Sequence, residues 1–425
     1  YSQSFTVDKT APDTDKMTVS YSTPLKERIL NAITFGYYKE SVEVTIKAED
    51  LTSGIDYLTW AYVKETGASN TNVAEKTEVI SRDALEFTED GKTATGHFTL
   101  KATETEQYRG SISFTATDMA GNTSADKFDD GRISIVDTIS PEVNITYKPA
   151  ETGTTLKAQV KRDTAEEITR EDKETADEET RFIYDGAVKA TIKTTEANFY
   201  TDDVIITVKK DGSEIWNGPV SSDKTIKDGD TTIAEFSDWT IDKENDTATC
   251  EIIMQADGDY EIGIDYTDSS SNDMNYSSDE YAEKNGTATY RSNIMTVDTT
   301  VPTVEVTYDN KDVNNASYYK ADRTATIRIK DRNFRPGEVN FVVTAKDVQE
   351  KESDTYAYSQ LTDWSDWHQT KDEDYTWEAT VPFDEDANYD ISLGYTDLAG
   401  HSLEEDYSQS FTVDKTAPDT DKMTC

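Results

Sequence analysis

The sequence predicts an all-β chain, with three tandem Greek-key sandwiches strung into an extended rod. Three observations predict it. Residues 1–18, YSQSFTVDKTAPDTDKMT, recur unchanged at 407–424, which makes the chain one full period of 406 residues. Self-similarity at a fixed period is the mark of a repeat architecture. The grammar of that stretch returns at two inner sites, IVDTISPEVNITY around Asp137 and TVDTTVPTVEVTY around Asp298. Between these sites the chain reads as short alternating runs rich in Val, Ile, Thr, Tyr and Phe, punctuated by turn residues.

Asp8, Asp137, Asp298 and Asp414 are separated by 129, 161 and 116 positions, together the 406-residue period. Each interval can bury its own core. The expected division is residues 1–8 as the last strand of a preceding repeat, 9–137, 138–298 and 299–414 as three immunoglobulin-like domains, and 415–425 as the start of the next repeat. The third domain shows the strands most plainly, at 304–308, 324–330, 338–344, 377–383, 388–395 and 409–413. Period-2 alternation half-buries each of them. About seven such strands in a domain of this size give an immunoglobulin-type sandwich.

The second domain is a divergent copy of the third. Setting Phe236-Ser237-Asp238-Trp239 over Trp364-Ser365-Asp366-Trp367 brings Met254 over Phe383 and Tyr260 over Tyr389. Ala248, Cys250, Ile252 and Met254 then share one strand face, so Cys250 reads as a small buried hydrophobe. Cys425 stands where the repeat has Val19, and two cysteines build no disulfide framework. One segment breaks the strand grammar: residues 161–181 carry nine acids and five bases. With only Ala165, Ile168 and Ala176 as an apolar stripe, it reads as a charged insertion, a loop or frayed helix.

The linkers of the VDTTAP type, with Asp118-Met-Ala-Gly-Asn122, Asp397-Leu-Ala-Gly-His401 and Asp50-Leu-Thr-Ser-Gly-Ile55, resemble the tandem Ig-like repeats of large bacterial cell-surface and adhesin proteins. Nearly the whole chain takes part. The second domain departs from the pattern, with Asp268-Ser-Ser-Ser-Asn-Asp-Met-Asn275 at the same turn. The resemblance implies an extracellular protein displayed on a bacterial surface or cell wall.

Composition fits an exposed, extended object. With 86 acids against 42 bases the net charge is −44, so nucleic acid and anionic membranes are repelled and neither is expected as a partner. No sorting motif, signal peptide or membrane span is read in the chain. Three sandwiches of about 35–40 Å each make a rod of about 110 Å. That is about one net charge per 2–3 Å of axis, close to the ~1.7 Å of duplex DNA.

On an immunoglobulin topology the incoming linker and the ends of two strands meet at one pole of each domain. This places Asp8, Asp50 and Asp118 together, then Asp137, Glu196 and Asp268, then Asp298, Asp331 and Asp397. Two readings stand. Hard oxygens clustered at a domain boundary suit Ca²⁺, which would clamp the junction. Alternatively each Asp caps its own turn, with Gly121 or Gly400 supplying the positive φ. No cofactor is required in either reading, and calcium is the cation the first would take.

Catalysis is not expected. The three histidines, His97, His368 and His401, fall in no nucleophile elbow, HExxH or Cys cluster. In so acidic a chain carboxylate pairs carry no information. The expected function is therefore a stalk that displays an adhesive or functional tip, with neighbouring repeats as its partners. The alternative is a binding module, in which the third domain itself recognises a host-surface glycan or protein through Tyr356, Tyr358 and Trp364. Against it, Trp377 shares a strand face with Ala379, Val381 and Phe383, and Trp367 matches Trp239; repeated positions favour core packing.

Overall fold

A computed structural model describes residues 5–22, 36–65, 73–129, 134–161, 180–220, 223–276, 286–287, 289–310, 317–348, 358–371 and 373–418. The fold is all-β and built from several open sheets. Tyr356, Cys425, residues 1–4 and most of the charged insertion (162–179) lie outside the described residues.

Each interval between the linker Asp residues contributes two sheets to one apolar cluster. In the first, Thr18–Ser22, Ser41–Glu49, Thr93–Lys101 and Glu86–Phe87 form one sheet, and Tyr37–Tyr38, Ser134–Val136, Tyr108–Asp118, Ile55–Lys64 and Lys76–Ile80 run through the other. Val44, Ile46 and Leu100 from one sheet meet Leu58, Trp60 and Phe114 from the other in a common core. Alternation is the cause: Ser41–Glu49 buries every second side chain, and the rest face outward. The second interval repeats the scheme around Ile192, Ile206, Ile252, Ile264 and Tyr260, and the third around Ile327, Phe341, Val381, Phe383 and Phe411.

One connectivity recurs three times. The first strand of each interval pairs antiparallel with the strand that ends at the acidic loop: Thr18–Ser22 with Ser41–Glu49, Glu142–Pro149 with Val188–Thr195, and Thr303–Tyr308 with Arg323–Lys330. Between them the chain crosses to the other sheet and pairs parallel with the last strand, as Tyr37–Tyr38 does with Ser134–Val136, Thr180–Tyr184 with Ile294–Val297, and Tyr318–Tyr319 with Tyr407–Val413. The next residue after each of these last strands is the linker Asp. Its N–H donates to the crossing strand: Asp137 to Tyr38 O at 2.9 Å, Asp298 to Tyr184 O at 3.0 Å and Asp414 to Tyr319 O at 2.9 Å. The linker therefore leaves each core in a fixed direction.

All six strand runs read in the third interval are strands. Cys250 is fully buried on the face shared with Ala248, Ile252 and Met254. The charged insertion separates Leu156–Lys161 from Thr180–Tyr184, which pair with each other. Phe411 and Val413 are 3% and 0% exposed, whereas the same sequence at Phe5 and Val7 is 84% and 64% exposed. Among the described residues, no sheet takes up 5–8.

The boundaries between intervals are bridged. From the first to the second, Arg109 donates to Ala197 O, Lys39 to Ser271 O at 2.7 Å, and Tyr37 meets Tyr200 edge to face. From the second to the third, Val160 and Ile183 pack on Leu398 and Ala399. Beside them Arg332 pairs with Asp211 at 2.7 Å.

Candidate functional site

The acidic loops meet at the boundaries. Strand ends deliver them: Asp50 follows Ser41–Glu49, Glu196 follows Val188–Thr195, and Asp118 closes Tyr108–Asp118. At the first boundary one carboxylate oxygen from each of Asp8, Asp50 and Asp118 lies within 4.8 Å of the others. The same holds for Asp137, Glu196 and Asp268 at the second. At the third the set is Asp298, Asp397 and His401. Asp331, expected as the third carboxylate there, is buried beside the set but not of it: its Oδ2 accepts the Tyr395 hydroxyl at 2.7 Å.

The turn-capping chemistry is present at every loop. Asp118 Oδ1 accepts from the N–H groups of Ala120 and Asn122, both at 2.8 Å, and Asp268 Oδ1 from Ser270 and Asn272, both at 2.8 Å. Asp397 Oδ1 accepts from His401 N at 2.7 Å. Gly121 and Gly400 adopt φ of +88° and +84°. Ser271 holds the same position at +68°, a left-handed conformation that L residues other than Asn and Asp seldom take. Asn122 and Asn272 reach from these loops to the linker, donating to Asp8 O at 3.5 Å and Asp137 O at 3.0 Å. The second oxygen is engaged in the same turns: Asp118 Oδ2 accepts from Asn122 Nδ2 at 2.8 Å and Asp268 Oδ2 from Asn272 Nδ2 at 2.9 Å, while the acids of the first two boundaries still face one another.

Burial grades the three clusters. Asp8 is the most open, and the Thr10 and Ser53 N–H groups and hydroxyls lower its carboxyl to about 2. In the second cluster all three acids are buried. Desolvation pushes Asp137 up, Asp268 up to about 7, and Glu196 well up, with the Asp137 charge adding to the last. In the third cluster, burial raises Asp298 and Asp397.

A second layer was not visible as a site in sequence. Asn198 donates its N–H to Glu196 Oε1 at 2.6 Å and its Nδ2 to Asp137 Oδ2 at 2.6 Å. Asn333 does the same for Asp331 Oδ1, at 3.1 Å, and for Asp298 Oδ2. The signal was available: Glu196-Ala-Asn198-Phe199 and Asp331-Arg-Asn333-Phe334 are aligned copies, and Phe199 packs on Trp239 as Phe334 does on Trp367. A cavity of about 380 Å³ at the first-to-second boundary is lined by Glu65, Arg109, Glu196, Tyr200, Asp246 and others.

The aromatic candidates divide. Tyr358 packs on the third core and donates its hydroxyl to Tyr389 Oη at 3.0 Å. Trp364 is 43% exposed, but its ring sits against Phe334 and Trp377. Trp367 is buried and donates its indole N–H to Leu361 O at 2.8 Å. The arrangement is an aromatic core that surfaces at one ring.

No protein-family model and no curated protein matches the chain. Among solved structures it is similar to latent PorU from Porphyromonas gingivalis, at 10% identity and a TM-score of 0.17, over 94% of this chain and 34% of that one. It is also similar to the α2-macroglobulin of E. coli, at 8% identity and a TM-score of 0.21, over 95% of this chain and 23% of that one. Both neighbours are sheet-rich, and the chain spans about a third and about a quarter of their lengths.

Proposed function

We propose that this chain is the repeating unit of an extracellular bacterial stalk: three immunoglobulin-like sandwiches end to end, non-catalytic, whose product is reach. The carrying observation is repetition in three dimensions: each of the three intervals closes two sheets on its own apolar cluster, with the first strand on one sheet and the crossing strand beside the last. That connectivity supports the immunoglobulin-type reading. Bridged boundaries favour a rod over a flexible string.

The charge supports the same reading, since −44 resists collapse along the whole axis. Recognition of a host glycan or protein by the third domain has less support, because Tyr358 is packed and Trp364 is half covered. Arrays of one, two and three 406-residue periods, imaged by rotary-shadowed electron microscopy, test the proposal. Contour length should grow by about 110 Å per period; particles that thicken without lengthening would overturn it.

A further inference from the structure

The three acidic clusters are not equivalent, and the difference lies in one carboxamide oxygen. At the third boundary Asn333 Oδ1 accepts from Arg181 Nη2 at 2.6 Å, and the same guanidinium bonds Asp259 Oδ1 at 3.0 Å and Thr296 Oγ1 at 3.2 Å. The second interval thus hands a positive charge to the rim of the third cluster. His401 adds a nitrogen where the first two clusters have Asn122 and Asn272. At the second boundary the corresponding oxygen, Asn198 Oδ1, is buried and has no hydrogen-bond partner. Asn198 is 2% exposed; its main-chain N–H donates to Glu196 and its carboxamide Nδ2 to Asp137, which places the residue within the cluster. The hydroxyls of Tyr266 and Ser270, buried in the same region, are also unpartnered.

Buried polar oxygens without partners are rare and point to something that completes them. Three acids and an unpartnered amide oxygen are all electron-pair donors, a set that a cation completes. Nearby positive charges are engaged at the rim: Arg109 with Glu65 at 2.5 Å and with Ala197 O, and Lys39 with Ser271 O at 2.7 Å. Carboxylates and an amide oxygen gathered from separate loops make the all-oxygen protein seat that calcium takes, whereas magnesium keeps several of its waters. A cavity lined by Glu196 approaches the cluster from the Arg109 and Asp246 side and gives water a way to it.

We infer that the second boundary is a dedicated site for one divalent, oxygen-seeking cation, calcium before magnesium. Asp137, Glu196, Asp268 and Asn198 Oδ1 are its protein ligands, and the third boundary is closed by Arg181 instead. Binding itself does not depend on the stalk reading; its consequence, a stiffened junction, does. The clusters are thus a graded series: an open triad, a metal seat, and a junction that carries its own cation.

Isothermal titration of the chelator-stripped chain with CaCl₂, followed by MgCl₂, tests this. One calcium per chain is expected, with weaker magnesium binding. Glu196→Gln should abolish the tight site and Asp397→Asn should leave it intact. Melting gives the second reading: saturating calcium should raise the wild-type transition by about 5–10 °C. Glu196→Gln should melt above the wild type in chelator, because a repelling charge is gone, and should not respond to calcium. Zero or three equal calcium ions per chain, or calcium binding retained by Glu196→Gln, would overturn the assignment. Neither result would bear on the length of the chain.

Discussion

Asp331 offers a stability prediction that can be worked out from the structure. Its carboxylate is buried, caps Asn333 N and accepts the Tyr395 hydroxyl; desolvation, with the Asp397 and Asp298 charges, raises it from 3.8 to about 7. Because the folded pKa is the higher one, the folded state binds more protons between pH 4 and 7. Stability therefore falls as pH rises through that window and levels off above about 7. At ~1.4 kcal/mol for each pH unit between the two values, the full cost at pH 8 is about 4 kcal/mol; at pH 5.5 it is about 2 kcal/mol. Asp331→Asn keeps an acceptor for Asn333 N and can donate to the Tyr395 oxygen, but cannot ionise. Its effect on stability relative to wild type should be about 2 kcal/mol more favourable at pH 8 than at pH 5.5, whatever the intrinsic cost of the substitution. With a urea m-value of about 2 kcal/mol/M for a domain of this size, the midpoint difference should change by about 1 M. Urea melts of wild type and variant at both pH values, followed by tryptophan fluorescence, measure it. A difference independent of pH would refute the reasoning.

Identical sequences in unlike settings give a second prediction. Phe411→Ala removes a ring packed among Tyr308, Phe383 and Tyr389 and should cost about 3–5 kcal/mol in urea unfolding, while Phe5→Ala, at 84% exposure, should cost less than about 0.5 kcal/mol. Cys250, whose thiol burial pushes up to about 11, should stay unreactive to a thiol reagent at pH 8 until urea unfolds the second interval, and a burst of reaction in the native chain would contradict its placement. Ile183→Ala, in the small apolar cluster with Val160 and Leu398, should cost about 2–4 kcal/mol and broaden the distance distribution between spin labels on the second and third intervals; an unchanged distribution would mean the cluster does not hold that boundary.

Much of this was legible because strands declare themselves by alternation. Thr376–Phe383 and Ala387–Tyr395 bury the residues their pattern assigns, and the loops that follow Ser41–Glu49 and Tyr108–Asp118 must meet if the strands do. Two of the expected acid triads follow directly from that topology. What sequence did not give was side-chain direction. Asp331 and Glu196 occupy equivalent loops, yet Asp331 turns to Tyr395 while the Tyr266 hydroxyl has no partner. Nor does alternation mark a two-residue parallel pairing such as Tyr318–Tyr319, which has no period to read. Arg181 and Asn333 are 152 positions apart, and only the packing of the second interval on the third brings them together. Phe5 and Phe411 show the limit most simply, since Phe5-Thr6-Val7 and Phe411-Thr412-Val413 are the same sequence and only the second, which has a neighbour to pair with, is strand.

Small-angle X-ray scattering of the single 406-residue period tests the central claim most directly. A rod of about 110 Å has a radius of gyration of about 32 Å, against about 22 Å for a compact domain of this length. The account predicts a value near 32 Å with little change between 50 and 500 mM salt, because the boundaries are bridged and not merely charged. A value near 22 Å, or one that falls towards it as salt screens the acids, would contradict it.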